Sequence, residues 1–117
     1  MNPINLEFLR RQRLNEFLEE GGKEEHFAFV HRQHKDGAYF TACFDRSQFD
    51  GDDLDEVLAD LTDELEGILD ELEDLEDKHD DPLSLPADHA DYQDYEDLLD
   101  EQVYLEALVT AVEDRLN

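Results

Sequence analysis

From Asp52 onward the apolar residues fall at Leu54, Leu58, Leu61, Leu65, Ile68, Leu72 and Leu75, alternating steps of four and three without a break. That period is the seam of a coiled-coil-like helix of about six or seven turns. Pro82 and Pro86 then frame a short loop. A second seam follows at Tyr95, Leu98, Gln102, Leu105, Val109, Val112 and Leu116. So short a connection forces the two helices to run antiparallel. The last helix also carries Leu99, Val103 and Leu108 off its seam, so its C-terminal half is apolar on two sides. The pattern predicts a central helix, with the long helix on one flank and the first helix or the strands on the other.

The N-terminal third follows other periods. Asn2 is placed to cap a helix with Pro3 at its first position; Ile4, Leu6, Phe8, Leu9, Leu14, Phe17 and Leu18 supply an apolar side, and Gly21 and Gly22 stop it. Two β-prone runs, Glu25 to Arg32 and Ala38 to Phe44, flank an Asp36-Gly37 turn and read as a hairpin. Phe27, Phe29 and His31 share one face of the first strand, and Ala28 and Val30 the other. In the second strand Ala38, Phe40, Ala42 and Phe44 alternate with Tyr39, Thr41 and Cys43. A lone hairpin is marginal, so its aromatic face must pack on helices. The expected architecture is α+β: an N-terminal helix and β-hairpin packed on a long antiparallel two-helix hairpin, forming one domain over residues 1–117.

Charge divides the chain in the same place. Residues 47–117 hold 27 acids against Lys78 and Arg115, whereas residues 1–46 hold eight acids against seven bases, so these stretches contribute −25 and −1 to the net charge of −26. A surface this negative repels itself, at a cost in stability. With Leu58, Leu65 and Leu72 at heptad position a, the outermost position is occupied by Glu56, Asp63, Asp70 and Asp77, all acidic. Between Asp55 and Asp77 there are twelve carboxylates, spread over about 33 Å of helix at a rise of ~1.5 Å per residue. That is roughly one per 3 Å, close to the charge spacing of ~3.4 Å along one strand of B-DNA. Acids at the C-terminus of the long helix oppose its dipole, each by roughly a few tenths of a kcal/mol, and only Lys78 is available to interleave. Stability alone does not ask for such a layout.

Other chemistries fit less well. A salt-adapted composition should acidify the whole surface, and the first 46 residues are nearly neutral. Asp50-Gly51-Asp52-Asp53-Leu54-Asp55 resembles a calcium loop in part, but Leu54 and Asp55 stand where a ligand and the turn glycine belong. Glu76 and His79 have the spacing of a di-metal carboxylate helix without the second pair such sites require. His26, His31 and His34 cluster at the hairpin, as polar edge-strand residues do. Cys43 lies in an apolar run and reads as a buried, inert thiol. No phosphate loop and no nucleophile-base motif appears, so neither catalysis nor a cofactor is expected. Tyr95 sits on the seam and reads as core, while Tyr92 and Tyr104 lie off it as candidate interface residues. No leader pattern or membrane-length apolar run is visible, and anionic lipid would repel the acidic half, which points to the cytoplasm.

With its near-neutral start, the acidic run from Asp70 to Asp77 and the helical partner from Asp91 to Glu101, the chain resembles the bacterial DNA mimic proteins, and among them the small monomeric type that targets the histone-like nucleoid protein HU. The resemblance implies a monomeric regulator, nucleoid-associated through its partner, that occupies the DNA-binding face of HU and competes with DNA without binding nucleic acid itself. The carboxylates expected to meet the partner are Glu56, Asp60, Asp63, Glu66, Asp70, Glu71, Glu73, Asp74, Glu76 and Asp77 on the long helix, with Asp88, Asp91, Asp94, Asp97, Asp100 and Glu101 at the start of the last. The rival reading is an acidic chaperone or adaptor that shields a basic client without copying DNA. Inhibition of a nuclease by the same mimicry is a special case with a different target.

Overall fold

The two leucine seams become the two longest elements of the structure, a computed structural model that describes residues 5–35 and 37–117. Helix α2 runs Leu54–Lys78 and helix α3 runs Ala90–Leu116. Asp53 starts α2 by accepting hydrogen bonds from the backbone N–H groups of Asp55 and Glu56 at 3.1 and 3.4 Å. His89 caps α3 with its ring, Nδ1 accepting from the Asp91 N–H at 3.0 Å. The loop between them holds one 3-10 turn, Pro82–Ser84, closed by Asp81. The helices are antiparallel: Tyr95 near the start of α3 reaches Glu76 near the end of α2, and Leu61 lines the same cleft as Leu105 and Leu108.

Ahead of them, α1 (Leu6–Glu19) is capped by Asn5, whose side chain accepts from the Phe8 N–H at 3.1 Å. The Asn2 and Pro3 start read from the sequence lies outside the described residues. Gly22 ends this segment beneath the Phe17 ring, where an added Cβ would sit 2.4 Å from ring carbons. The hairpin pairs β1 (Phe27–Gln33) with β2 (Tyr39–Asp45), Gln33 opposite Tyr39 and Phe27 opposite Asp45. Its first strand starts later than the sequence suggests, because Glu24–His26 closes a 3-10 turn through the His26 N–H to Lys23 carbonyl bond. In the connection Gly37 has φ +90°, a left-handed conformation that glycine adopts without strain; Asp36 lies outside the described residues.

The register sets the two faces of the sheet. Ala28, Val30 and Arg32 stand opposite Phe44, Ala42 and Phe40 and face α3. On the other face a ladder of rings runs Phe17, Phe27, Phe29, His31, Tyr39, with centroids 5.0 to 6.4 Å apart. Helix α1 therefore packs on β1 and leaves α3 to the hairpin and α2. The core gathers Phe44, Leu61, Leu105, Leu108, Ala111 and Val112, of which Val112 is wholly buried. No residue of α1 is buried, and Phe8 remains 66% exposed. With principal extents of 43 × 39 × 20 Å the molecule is a slab, and its radius of gyration of 16.4 Å exceeds the ~13 Å of a rounder domain of this length. Among the described residues no helix is long and apolar enough to cross a membrane.

Candidate partner-binding surface

Because the α2 seam is turned to α3, the rest of α2 is turned to water. Glu56, Asp60, Asp63, Glu66, Asp70, Glu71, Glu73, Asp74, Glu76 and Asp77 are all exposed, as are Asp88, Asp94, Asp97 and Glu101. Among the described residues no α2 carboxylate forms an ion pair. Glu76 accepts the Tyr95 hydroxyl at 3.2 Å, and burial together with the Glu76 charge raises the Tyr95 phenol above its usual range. Where the end of α2 lies along the start of α3, Glu71 and Asp74 line a groove with Asp94 and Asp97, floored by Leu75 and Leu98. Acids from both helices thus flank one furrow.

Two of the sixteen expected contact residues are not on this surface. Asp100 is 8% exposed and Glu96, its neighbour one turn back, is 4% exposed. Both are turned toward the hairpin, where Arg32 donates through Nε to Asp100 at 2.8 Å and through Nη2 to the Glu96 carboxylate. His34 donates from Nε2 to both Asp100 oxygens at 2.9 Å, and the Tyr92 hydroxyl donates to Glu96 at 2.8 Å. Burial by itself would raise the Glu96 pKa; the hydrogen bonds from Arg32 and Tyr92 outweigh it, and Glu96 titrates below its usual range. Arg32 shows the counterpart, its pKa raised by these two carboxylates against the opposing effect of burial.

Asp91 is the second inward case. It accepts from His79 Nε2 at 2.7 Å and from Lys78 Nζ at 2.9 Å, which hold its carboxyl down to about 2. The one lysine of α2 and the histidine that caps it are therefore engaged with α3 and leave the α2 surface without a cation. The Glu76 and His79 pair accordingly serves two hydrogen bonds to α3, and among the described residues no group of three or more His, Cys, Asp or Glu side chains is placed to hold a metal ion.

The tyrosines and the thiol also differ from expectation. Tyr92 is not an interface residue: it is 3% exposed, packed under the hairpin tip with Lys35 Nζ 5.4 Å from its ring centroid. Lys35 further donates to the backbone carbonyls of Leu83 and Leu85, tying that tip to the loop before α3. Tyr104 is half-buried, edge-on to Phe44 at 5.8 Å, yet it also lines two surface clefts. Tyr95 is core, as the seam predicts. Cys43 is half-buried rather than buried, and desolvation raises its pKa, which favours the protonated thiol.

Sequence reasoning missed the Arg32, Glu96, Asp100 and His34 network, although one signal was present. Arg32 follows Ala28 and Val30 on the inward strand face, and a charge on such a face requires a buried partner. No protein-family model matches this chain, and neither a curated protein nor a solved structure does.

Proposed function

We propose that the protein is a DNA mimic, which offers carboxylates to the lysines and arginines that a basic DNA-binding protein normally sets against phosphates. HU, the target of the mimics that the chain resembles, is the partner proposed, and the protein would join the nucleoid through it. The observation that carries this reading is the uncompensated row along α2. Glu56, Asp63, Asp70 and Asp77 repeat every seventh residue on the outer side, all exposed, and among the described residues no cation pairs with them. The few basic side chains near α3 are turned to its inner acids: Arg32, His34, Lys78 and His79 are all engaged there, and with 35 acids against nine Lys and Arg the outer row is left bare.

The test is competition. In a gel-shift titration of HU on duplex DNA, added protein releases free DNA. A stable ternary complex would overturn the proposal in favour of an adaptor that leaves the DNA site open. Salt gives a second arm. Duplex DNA releases condensed counterions on binding, with a log–log slope approaching about −0.9 per phosphate neutralised. Carboxylates on a finite folded surface hold fewer ions, so the complex weakens with salt less steeply than the HU–DNA complex does.

A further inference from the structure

A cleft of about 710 Å³ opens where β2 meets α3, with Phe40, Ala42, Leu98 and Tyr104 in its lining beside the carboxylates of Asp97 and Glu101 and the Asp100 that Arg32 and His34 already hold. The strand side of this cleft is the face that buries Phe44 further along; here the two-stranded sheet has no third strand beside it among the described residues. Nothing about phosphate mimicry calls for such a feature, since a DNA phosphate has no apolar hollow beside it.

We infer that this cleft is a seat for one arginine side chain of the basic partner. Its floor is apolar and partly aromatic, which suits the three-carbon stem and flat face of a guanidinium. Asp97 and Glu101 add two exposed carboxylates to the lining, which suits the guanidinium's fork of donors. The chain already grips an arginine in this way. Glu96 and Asp100, four residues apart on α3, hold Arg32 between them. Asp97 and Glu101 repeat that spacing one residue on, so the pair is turned by about 100° around the helix. Both are exposed, and no cation of the chain is paired with either among the described residues. Lysine fits less well, because its compact, strongly hydrated ammonium gains little from the aromatic floor.

This inference rests on the DNA-mimic reading for the nature of the partner and adds what that reading lacks, a means of choosing among basic proteins. Charge density attracts any of them, whereas a shaped seat beside the acidic furrow selects one that places an arginine at the right distance.

The test is an NMR titration of the isotope-labelled full chain with N-acetyl-arginine methylamide and, in parallel, its lysine counterpart. Saturable shifts are expected at the amides of Phe40, Ala42, Leu98 and Tyr104, at least about tenfold weaker for the lysine compound. They should vanish in Asp97→Asn with Glu101→Gln and persist in Asp80→Asn with Glu113→Gln, which removes the same charge from exposed positions away from the cleft. The spectra report folding of each variant directly. Shifts spread over α2 and α3 alike, equal response to both compounds, or equal loss in both variants would overturn the inference. The mimic reading is decided separately. Arginine binding without DNA release in the gel shift would sustain the cleft and sink mimicry, and DNA release without arginine binding would do the reverse.

Discussion

Helices α2 and α3 are built from the same materials, leucine seams and carboxylates at threes and fours, yet they use their acids in opposite ways. On α3 the carboxylates of Asp91, Glu96 and Asp100 face inward and are held by Lys78, His79, Arg32 and His34. On α2 no carboxylate pairs with a cation among the described residues, and the outer row stands in water from Glu56 to Asp77. The difference lies in what packs against each helix. The main neighbour of α2 is α3, and its apolar seam is turned there. α3 lies between α2 and the hairpin, and the hairpin brings Arg32 and His34 to the acids of its second side, with Lys35 over the Tyr92 ring. The near-neutral N-terminal part of the chain therefore has a structural role: its hairpin brings Arg32 and His34 to the inner acids Glu96 and Asp100.

The largest expected effect comes from removing the cation on the inner side. Arg32→Met leaves Glu96 and Asp100 buried without their main counter-charge, and breaking a buried pair from one side costs about 3 kcal/mol or more. The urea midpoint should fall accordingly. The triple variant Arg32→Met, Glu96→Gln and Asp100→Asn should recover most of the loss, because no uncompensated charge remains. If Arg32→Met costs no more than an ordinary surface change, within about 0.5 kcal/mol, the inner carboxylates are not structural and the contrast between the helices fails.

The outer row should respond in the opposite sense. Asn or Gln at Asp70, Glu73, Asp74 and Asp77 should weaken binding of HU by about tenfold while leaving stability unchanged or raised, since like charges at a helix C-terminus are relieved. The same number of changes at Glu16, Glu19, Glu24 and Glu25 should do little. Calorimetric titration of both sets separates position from quantity: equal losses would mean that bulk charge, and no particular face, is what the partner feels.

How much of this could be read from the chain follows from how local each signal is. The seams at Leu54 to Leu75 and Tyr95 to Leu116 are periodic within a single helix, so both helices and their antiparallel packing were legible, as was the hairpin's division into faces. Docking was less so. Nothing in α1 says that Phe17 meets Phe27 on β1. Nor do Glu96 and Asp97 differ in any local way, although one is buried and the other exposed. Which of the two i,i+4 acid pairs turns inward depends on how α3 is rotated against the hairpin, a tertiary property. Tyr92, Glu96 and Asp100 form one stripe at steps of four; only with Arg32 opposite does that stripe become interior.

Asp91 sharpens the comparison, because it begins α3 but takes both its donors from the end of α2. Its carboxyl is held to about 2 in the folded protein, against about 3.9 for a free Asp side chain. Between those values the unfolded chain binds the proton more readily, so stability rises with pH across that interval. The contribution is complete above about pH 4 and disappears as pH falls through about 2. In urea melts over this range Asp91→Asn should flatten the acid limb. Lys78→Met with His79→Gln should flatten it as well, because it removes the donors that keep the folded carboxyl ionised. This effect is the smallest of the three, since both partners lie near the surface and are screened. An acid limb that is unchanged in Asp91→Asn would place Asp91 with the outer carboxylates, moving the boundary between structural and partner-facing acids inward along α3 to Glu96.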